Sequence, residues 1–502
     1  MDWLLIIVLL PLLAASSVGF VPGSQRQVIR SITLGASGLA LLCALIAFCS
    51  FKVGGGIQFE TKWTWVESLG LHFHLAADGI NIGIVLMGTI VAFAAVCCAD
   101  DITHRMKEFH ILLNLMIGGI LGAFASMDLF FFYFFHELAL VPTFIMIGVW
   151  GRGANRNYAT YKITLYLSLG ALLALIGLIG VYVQTGAESF SIPDLIAKVE
   201  SSPIDESAQR WIFPLLMFGF GILVSLWPFH TWAPLGYGAA PTATAMLHAG
   251  VLKKFGLYGI IRVAIPMAPV GAQCWLGVLA WLALANLLYC GLVAVRQKDL
   301  NLLIGNSSVA HMGFIFLGIA SLNVIGLTGA VLVMIAHGLL VALAFGLSGH
   351  LYRQTGSLDM SRMGGLLRQM PLGGSALLMA LFAGCGLPGF ANFAGEVTIF
   401  FAAWSAGLKT ITVIAAWSAL VIGGLYMMRA IRNILHGPLG DTWGKAGDIS
   451  PLIATALGLL LAALLMFGIA PGLLTDSIKP DVAGIVKMGR KECASATEAT
   501  KE

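Results

Sequence analysis

Fourteen long apolar runs, each of about 18 residues or more, dominate the chain and leave it few ways to fold. They lie at roughly 1–21, 28–51, 78–98, 109–127, 129–150, 158–184, 209–228, 240–267, 272–295, 301–322, 324–350, 372–402, 409–431 and 450–472. A run of that length crosses a ~30 Å hydrocarbon layer as a helix, at about 1.5 Å per residue. Hydrocarbon offers no water to backbone N–H and C=O groups, so a spanning chain must be helical or a closed barrel. Barrel strands are shorter and alternate inside with outside, and these runs do neither. Only 10% of the 502 residues are charged, against roughly 25% in soluble domains. The expectation is an all-α integral membrane protein of about 14 transmembrane helices.

Charge then gives orientation. Loops after odd-numbered helices hold fifteen of the 28 Lys and Arg residues, and loops after even-numbered helices hold six. Basic loops stay in the cytoplasm, which puts both termini outside. The start, "MDWLLIIVLLPLLAASSVGF", lacks the positive n-region of a signal peptide and reads as a retained first span. The net charge of +4 is dispersed over short loops and points to no nucleic acid. Eight cysteines form no CxxC or Cys/His spacing, so neither a disulfide framework nor a metal site is indicated. The tail "KMGRKECASATEATKE" is polar and expected to be mobile.

Two spans look interrupted. Helix 7 ends in "LWPFHTWAP", with Pro228 and Pro234, and helix 12 contains "GCGLPGFANFAGE", with Gly386, Pro388 and Gly389. Proline and glycine free backbone groups, and a membrane tolerates that where protein or a watered cavity satisfies them. Breaks five spans apart suggest two five-helix repeats, helices 4–8 and 9–13, although either break alone could be a kink serving packing.

Ionisable residues inside the spans carry the functional signal, because a charge at mid-membrane costs about 2.5–3.5 kcal/mol on insertion scales. Glu137 lies in "FFFYFFHELALVP", beside His136 and among phenylalanines, where a hydrogen-bonded neutral carboxyl is the bland alternative. Lys253 and Lys254 follow in "LHAGVLKKFGLYG". Adjacent helical residues point about 100° apart, so one lysine is expected inside while the other snorkels or pairs. His248 precedes Lys254 by six residues, a rise of about 9 Å, which suits a bridge of a water or two. His311, His337 and Glu396 follow in helices 10, 11 and 12. Groups that each hold or release a proton, with no nucleophile triad, phosphate loop or cofactor motif, suit a relay for H⁺, or for Na⁺.

Along almost its whole length the chain resembles the antiporter-like subunits of respiratory complex I, and most of all the M type of bacterial NADH:quinone oxidoreductase. The carriers are "DLFFFYFFHELALVPTFIMIGVWG" (128–151), "WPFHTWAP" (227–234), "AGVLKKFGLYGIIR" (249–262), "QKDLNLLIGNSSVAHMGF" (297–314), "MIAHGLL" (334–340) and "GLPGFANFAGE" (386–396). The resemblance implies two inverted repeats with broken helices 7 and 12, dividing the chain into 1–108, 109–267, 268–431 and 432–502. By position Glu137 matches the helix 5 glutamate, Lys254 the central lysine, His311 and His337 the connecting histidines, and Glu396 the exit-side carboxylate. His248 is similar to a histidine of subunit L and the Mrp antiporters. No cofactor is implied here; NADH, FMN, Fe–S clusters and quinone would belong to partner subunits, with L-, N- and K-like subunits as membrane neighbours. The implied location is the bacterial inner membrane.

The chain also departs from the pattern. Most members carry a lysine five residues before the proline of the "PFH" motif, where this chain has Leu223. The usual Asp, His and Glu are missing from "WAPLGYGAAPT" (232–242), and Asn301, Leu302 and Asn306 replace a basic pair and a tyrosine. Mrp-type cation/proton antiport, a membrane-bound hydrogenase, and a module coupling proton flow to inorganic carbon uptake share the fold as alternatives.

Overall fold

The computed structural model describes residues 2–439, 443 and 446–499, the side chains from 490 onward excepted. Helices make up 78% of it. Among the described residues, twelve helices are long and apolar enough to cross a membrane. Nine of them are α1 (Trp3–Phe20), α2 (Arg26–Ser50), α3 (Ile82–Asp101), α4 (Met106–Ala125), α5 (Leu129–Trp150), α6 (Arg156–Thr185), α9 (Pro269–Arg296), α10 (Leu300–Ala320) and α11 (Val324–Thr355). The other three are α7a (Glu206–Val224), α13 (Lys409–Ile434) and α14 (Pro451–Ile469).

Three further stretches are segmented. The first, α7b (Trp232–Ala239), resumes after an irregular passage that begins at Ser225 and contains Pro228. Next, α8 (242–267) is helical throughout but widens into π-helical turns at His248–Leu252 and Ile260–Ala264. Last, α12a (Pro371–Gly384) and α12b (Ala391–Ser405) flank the Gly386–Pro388–Gly389 break. Both interruptions therefore fall where the Pro and Gly residues lie.

Burial follows composition. Residues 326–351 of α11 and all of α8 are buried; apart from a few ionisable residues both sequences are apolar all round, which is the signature of a helix surrounded by others. Around α11 pack α10, α12b, α14, α3 and the start of α8. By contrast α1, α2 and α14 leave most of their surface open. Lipid supplies no hydrophobic drive between helices, so close approach depends on small residues. A Cβ at Gly119 of α4 would stand 2.7 Å from the Phe135 carbonyl of α5, and one at Gly256 of α8 only 2.3 Å from the Phe220 carbonyl of α7a.

Three expectations need correction. The all-α reading overlooked an antiparallel hairpin, β1 (Gln58–Val66) with β2 (Leu71–Ala77). Its strands are far too short to register as apolar runs, although "FETKWTWV" carries the Thr and aromatic residues that favour strands. The last apolar run ends at 472, yet a further helix, α15 (Gly472–Ala499), follows it and packs on α11 and α9; residues 500–502 lie outside the described set. Arg262, one of the six basic residues assigned above to loops after even-numbered helices, is buried and ion-paired to Asp78 at the start of α3.

Candidate functional site

The site is built around α8. Its π-helical turn closes with the Lys253 N–H donating to the His248 carbonyl, 3.1 Å away and five residues back. Such turns are rare and cluster at functional positions. Directly after it come the two lysines, and both are buried, at 1% and 0% exposure. The expectation that only one of them lies inside, the other snorkelling or pairing, fails because α8 is enclosed on every side.

Lys254 reaches α11. Its ammonium Nζ donates to the Ala249 carbonyl at 2.6 Å and lies 2.9 Å from His337 Nδ1. When the lysine is charged, Nδ1 of a neutral imidazole accepts and Nε2 carries the ring hydrogen. His337 in turn sits 5.6 Å, centroid to centroid, from the ring of His311 on α10. His311 Nδ1 donates to the Ser307 carbonyl at 2.7 Å, one turn back. That bond fixes the tautomer: Nε2 of the neutral ring is the acceptor, and it faces Glu396 Oε1 at 3.8 Å.

Glu396 owes its place to the break in α12. It is the sixth residue of α12b; its carboxyl is buried, and Oε1 has no hydrogen-bond partner among the described residues. A cavity of about 20 Å³, open to the centre of a water molecule, adjoins it, lined in part by His311, Cys385, Ser418 and Tyr426. About 10–15 Å³ admits one water. The Ser307 hydroxyl links His311 Nδ1, at 3.3 Å, to the Tyr426 hydroxyl, at 3.2 Å. Lys254, His337, His311 and Glu396 thus form one buried series of titratable side chains.

Two of the sequence-derived residues stand apart from it. Glu137 is not enclosed by the phenylalanines: its side chain keeps 34% exposure, on the face turned toward α6 with Tyr133. Among the described residues its ion-pair partner is His136, Nδ1 to Oε1 3.5 Å. His136 stacks on Phe255 of α8 with centroids 4.0 Å apart, and Phe132 covers the same ring at 4.2 Å. Aromatic rings therefore separate the Glu137 pair from Lys254. His248 is held between Trp232, at 5.5 Å, and Tyr237, at 5.4 Å, both on α7b. Leu223, at the end of α7a, is buried.

Sequence reasoning missed other polar elements. Ser308 and Tyr237 hold Lys253, and Asp78 answers Arg262. An aspartate opening an apolar run and an arginine closing one were the available signals. Their pairing across 184 residues was not readable.

A family model described as "NADH:quinone oxidoreductase/Mrp antiporter, TM" matches residues 126–422. NAD(P)H-quinone oxidoreductase chain 4 1 of Synechococcus elongatus is 33% identical over 481 residues, covering 94% of this chain and 89% of the relative. NADH-quinone oxidoreductase subunit M of Rhodobacter capsulatus is 31% identical over 509 residues, covering 99% and 98%. Among solved structures, a chain of respiratory complex I from Thermus thermophilus with bound NADH superposes with a TM-score of 0.88 at 28% identity, covering 97% of this chain and 99% of that one. A chain of the Mrp complex from Dietzia sp. DQ12-45-1b gives 0.85 at 20% identity, with 97% of each covered, and that likeness concerns the fold alone.

Proposed function

Because this chain belongs to the NADH:quinone oxidoreductase/Mrp antiporter membrane family, we propose that it is the proton-translocating, non-redox subunit of a complex I-type NADH:quinone oxidoreductase. The observation that carries this reading is the buried series Lys254–His337–His311–Glu396, in a chain similar over nearly its full length to proteins named chain 4 and subunit M. Flavin, Fe–S clusters and quinone belong to partner subunits, and L-, N- and K-like chains are its membrane neighbours. The chain crosses the bacterial inner membrane fourteen times, with α8 and α12 supplying the crossings beyond the twelve long helices and both termini on the periplasmic side. Residues 109–267 and 268–431 are its two inverted repeats, flanked by 1–108 and 432–502.

The chemistry is proton transfer along pre-placed donors and acceptors. A charged Lys254 gives its proton to Nδ1 of His337, and a rotation or one water then spans the gap to His311. Nε2 of His311 passes the proton to Glu396, beside a cavity large enough for a water. Two unit charges 4 Å apart still interact by about 4 kcal/mol at an effective dielectric of 20, so the series holds few charges at once. Glu137, His136 and His248 form the entry side, where quinone reduction elsewhere in the complex biases the charge. Leu223 removes one cation that the family usually places there, and His136 is the base left beside Glu137.

Affinity purification through a tag on this chain tests the assignment. The expected outcome is an assembly that contains flavin and Fe–S subunits and reduces quinone with NADH. An assembly that exchanges cations for protons and lacks quinone reductase activity would assign the chain to the Mrp branch instead.

A further inference from the structure

Lys253 is a second buried amine, and the relay above makes no use of it. Its Nζ donates to the Ser308 hydroxyl at 3.1 Å and lies 3.4 Å from the Ser308 carbonyl on α10. Above it lies the ring of Tyr237, with the centroid 5.6 Å away. Two neutral oxygens and an aromatic face are what an ammonium accepts when no carboxylate is at hand. This cradle opens toward α7b and α10, whereas Lys254 turns to α11. Beside it the Tyr237 hydroxyl and His248 Nδ1 are buried without a hydrogen-bond partner among the described residues, and their rings touch edge to face at 5.4 Å. A buried polar group without a partner costs free energy, so a cluster of them calls for a reason.

We propose that Lys253 is a second proton-holding site, loaded from the Tyr237–His248 flank, whose positive charge drives the proton of Lys254 onto His337. This rests on the relay reading of the preceding section. In the step, one proton binds the neutral Lys253 amine and forms an ammonium on Ser308. One N–H bond of the Lys254 ammonium breaks, its proton bonds to His337 Nδ1, and Lys254 keeps the electron pair as a neutral amine. No electrons leave the system. Like charges on neighbouring side chains repel strongly away from water, so the two lysines carry charge alternately. The cradle supplies the geometry that this alternation needs: each amine has its own acceptors on a different helix.

Protons translocated per NADH oxidised, measured in sealed membrane vesicles holding the assembled complex, provide the test. Three variants are compared: Lys253→Met, which keeps the volume without the charge, Lys253→Arg, which keeps the charge, and Lys254→Met. Lys253→Met is expected to retain uncoupled quinone reduction within about twofold of wild type and to lose the same share of translocation as Lys254→Met. Lys253→Arg is expected to keep at least about half of that share. Wild-type translocation in Lys253→Met, with Lys254→Met inactive, overturns the inference and leaves the relay standing. Equal loss in the Met and Arg variants makes the site steric and also overturns it. Wild-type translocation in Lys254→Met removes the relay reading, and this inference with it. Should Lys253→Met fail to assemble, Ser308→Ala carries the test: a drop of about threefold or more supports the proposal, and no drop overturns it.

Discussion

Lys254 Nζ stands 2.9 Å from His337 Nδ1, and the amine's other bond goes to a carbonyl rather than a carboxylate. A buried ammonium matched by a carboxylate would be a fixed ion pair. Facing a neutral imidazole, it has a partner of tunable basicity, and the proton can lie on either side. His337→Phe preserves volume in a helix buried all round and removes that acceptor. The expected result is an assembled complex whose proton translocation per NADH loses this subunit's share while uncoupled quinone reduction persists. Translocation at the wild-type ratio would show that the proton leaves Lys254 by another route.

Gly386 sits at φ +69°, a left-handed conformation, and a Cβ there would stand 2.9 Å from Glu396 Oε2. Gly386→Ala therefore strains the backbone by about 1–2 kcal/mol and displaces the carboxyl at the end of the proposed relay. Lower thermal stability of the purified complex and a drop in translocation are expected together. A variant that loses stability but translocates normally would mean that the position of Glu396 tolerates the shift.

The buried pair of Arg262 and Asp78 joins α8 to the start of α3, where the Asp78 carboxylate also accepts the N–H groups of Ile80, at 3.0 Å, and Asn81, at 3.1 Å. Removing the arginine leaves a buried carboxylate uncompensated, which costs about 3–5 kcal/mol. Arg262→Met is expected to destabilise the chain by that order, and Arg262→Met with Asp78→Asn to recover at least half of the loss. Thermal unfolding in detergent measures both. A double variant as unstable as the single one would mean that the arginine acts through packing.

On the hairpin, burial holds the His74 imidazole below histidine's ordinary 6.5, against the opposing pull of Glu60, whose Oε1 lies 2.9 Å from Nε2. Above pH 6.5 docked and undocked hairpins are both neutral at this site. As pH falls below 6.5, the undocked form binds a proton that the docked form resists, so docking weakens. Hydrogen exchange of residues 58–77, corrected for the intrinsic rate, should rise between pH 7.5 and 5.5 and should not rise in His74→Phe. A rise of equal size in the variant would place the titrating group elsewhere.

Hydropathy and punctuation made much of the fold legible. The run at 129–150 coincides with α5, and the Pro and Gly clusters coincide with the gaps after Val224 and Gly384. Windows of apolar residues report length but not rotation about the helix axis. That is why Glu137, read among phenylalanines, keeps 34% exposure, and why one lysine was expected inside with the other snorkelling or pairing, whereas both are buried. Rotation is set by packing partners distant in sequence, such as Ser308 for Lys253 and Asp78 for Arg262. The hairpin escaped for a different reason: its stability comes from pairing across β1 and β2 and from docking, and neither leaves a long apolar run.

Lys254→Met removes the amine at the head of the buried series while leaving the rest of the bundle to pack around an unbranched side chain. Protons translocated per NADH oxidised, in sealed vesicles carrying the assembled complex, should fall by this subunit's whole share, with uncoupled quinone reduction within about twofold of wild type. An assembled Lys254→Met complex that translocates protons at the wild-type ratio would contradict the relay through Lys254, His337, His311 and Glu396.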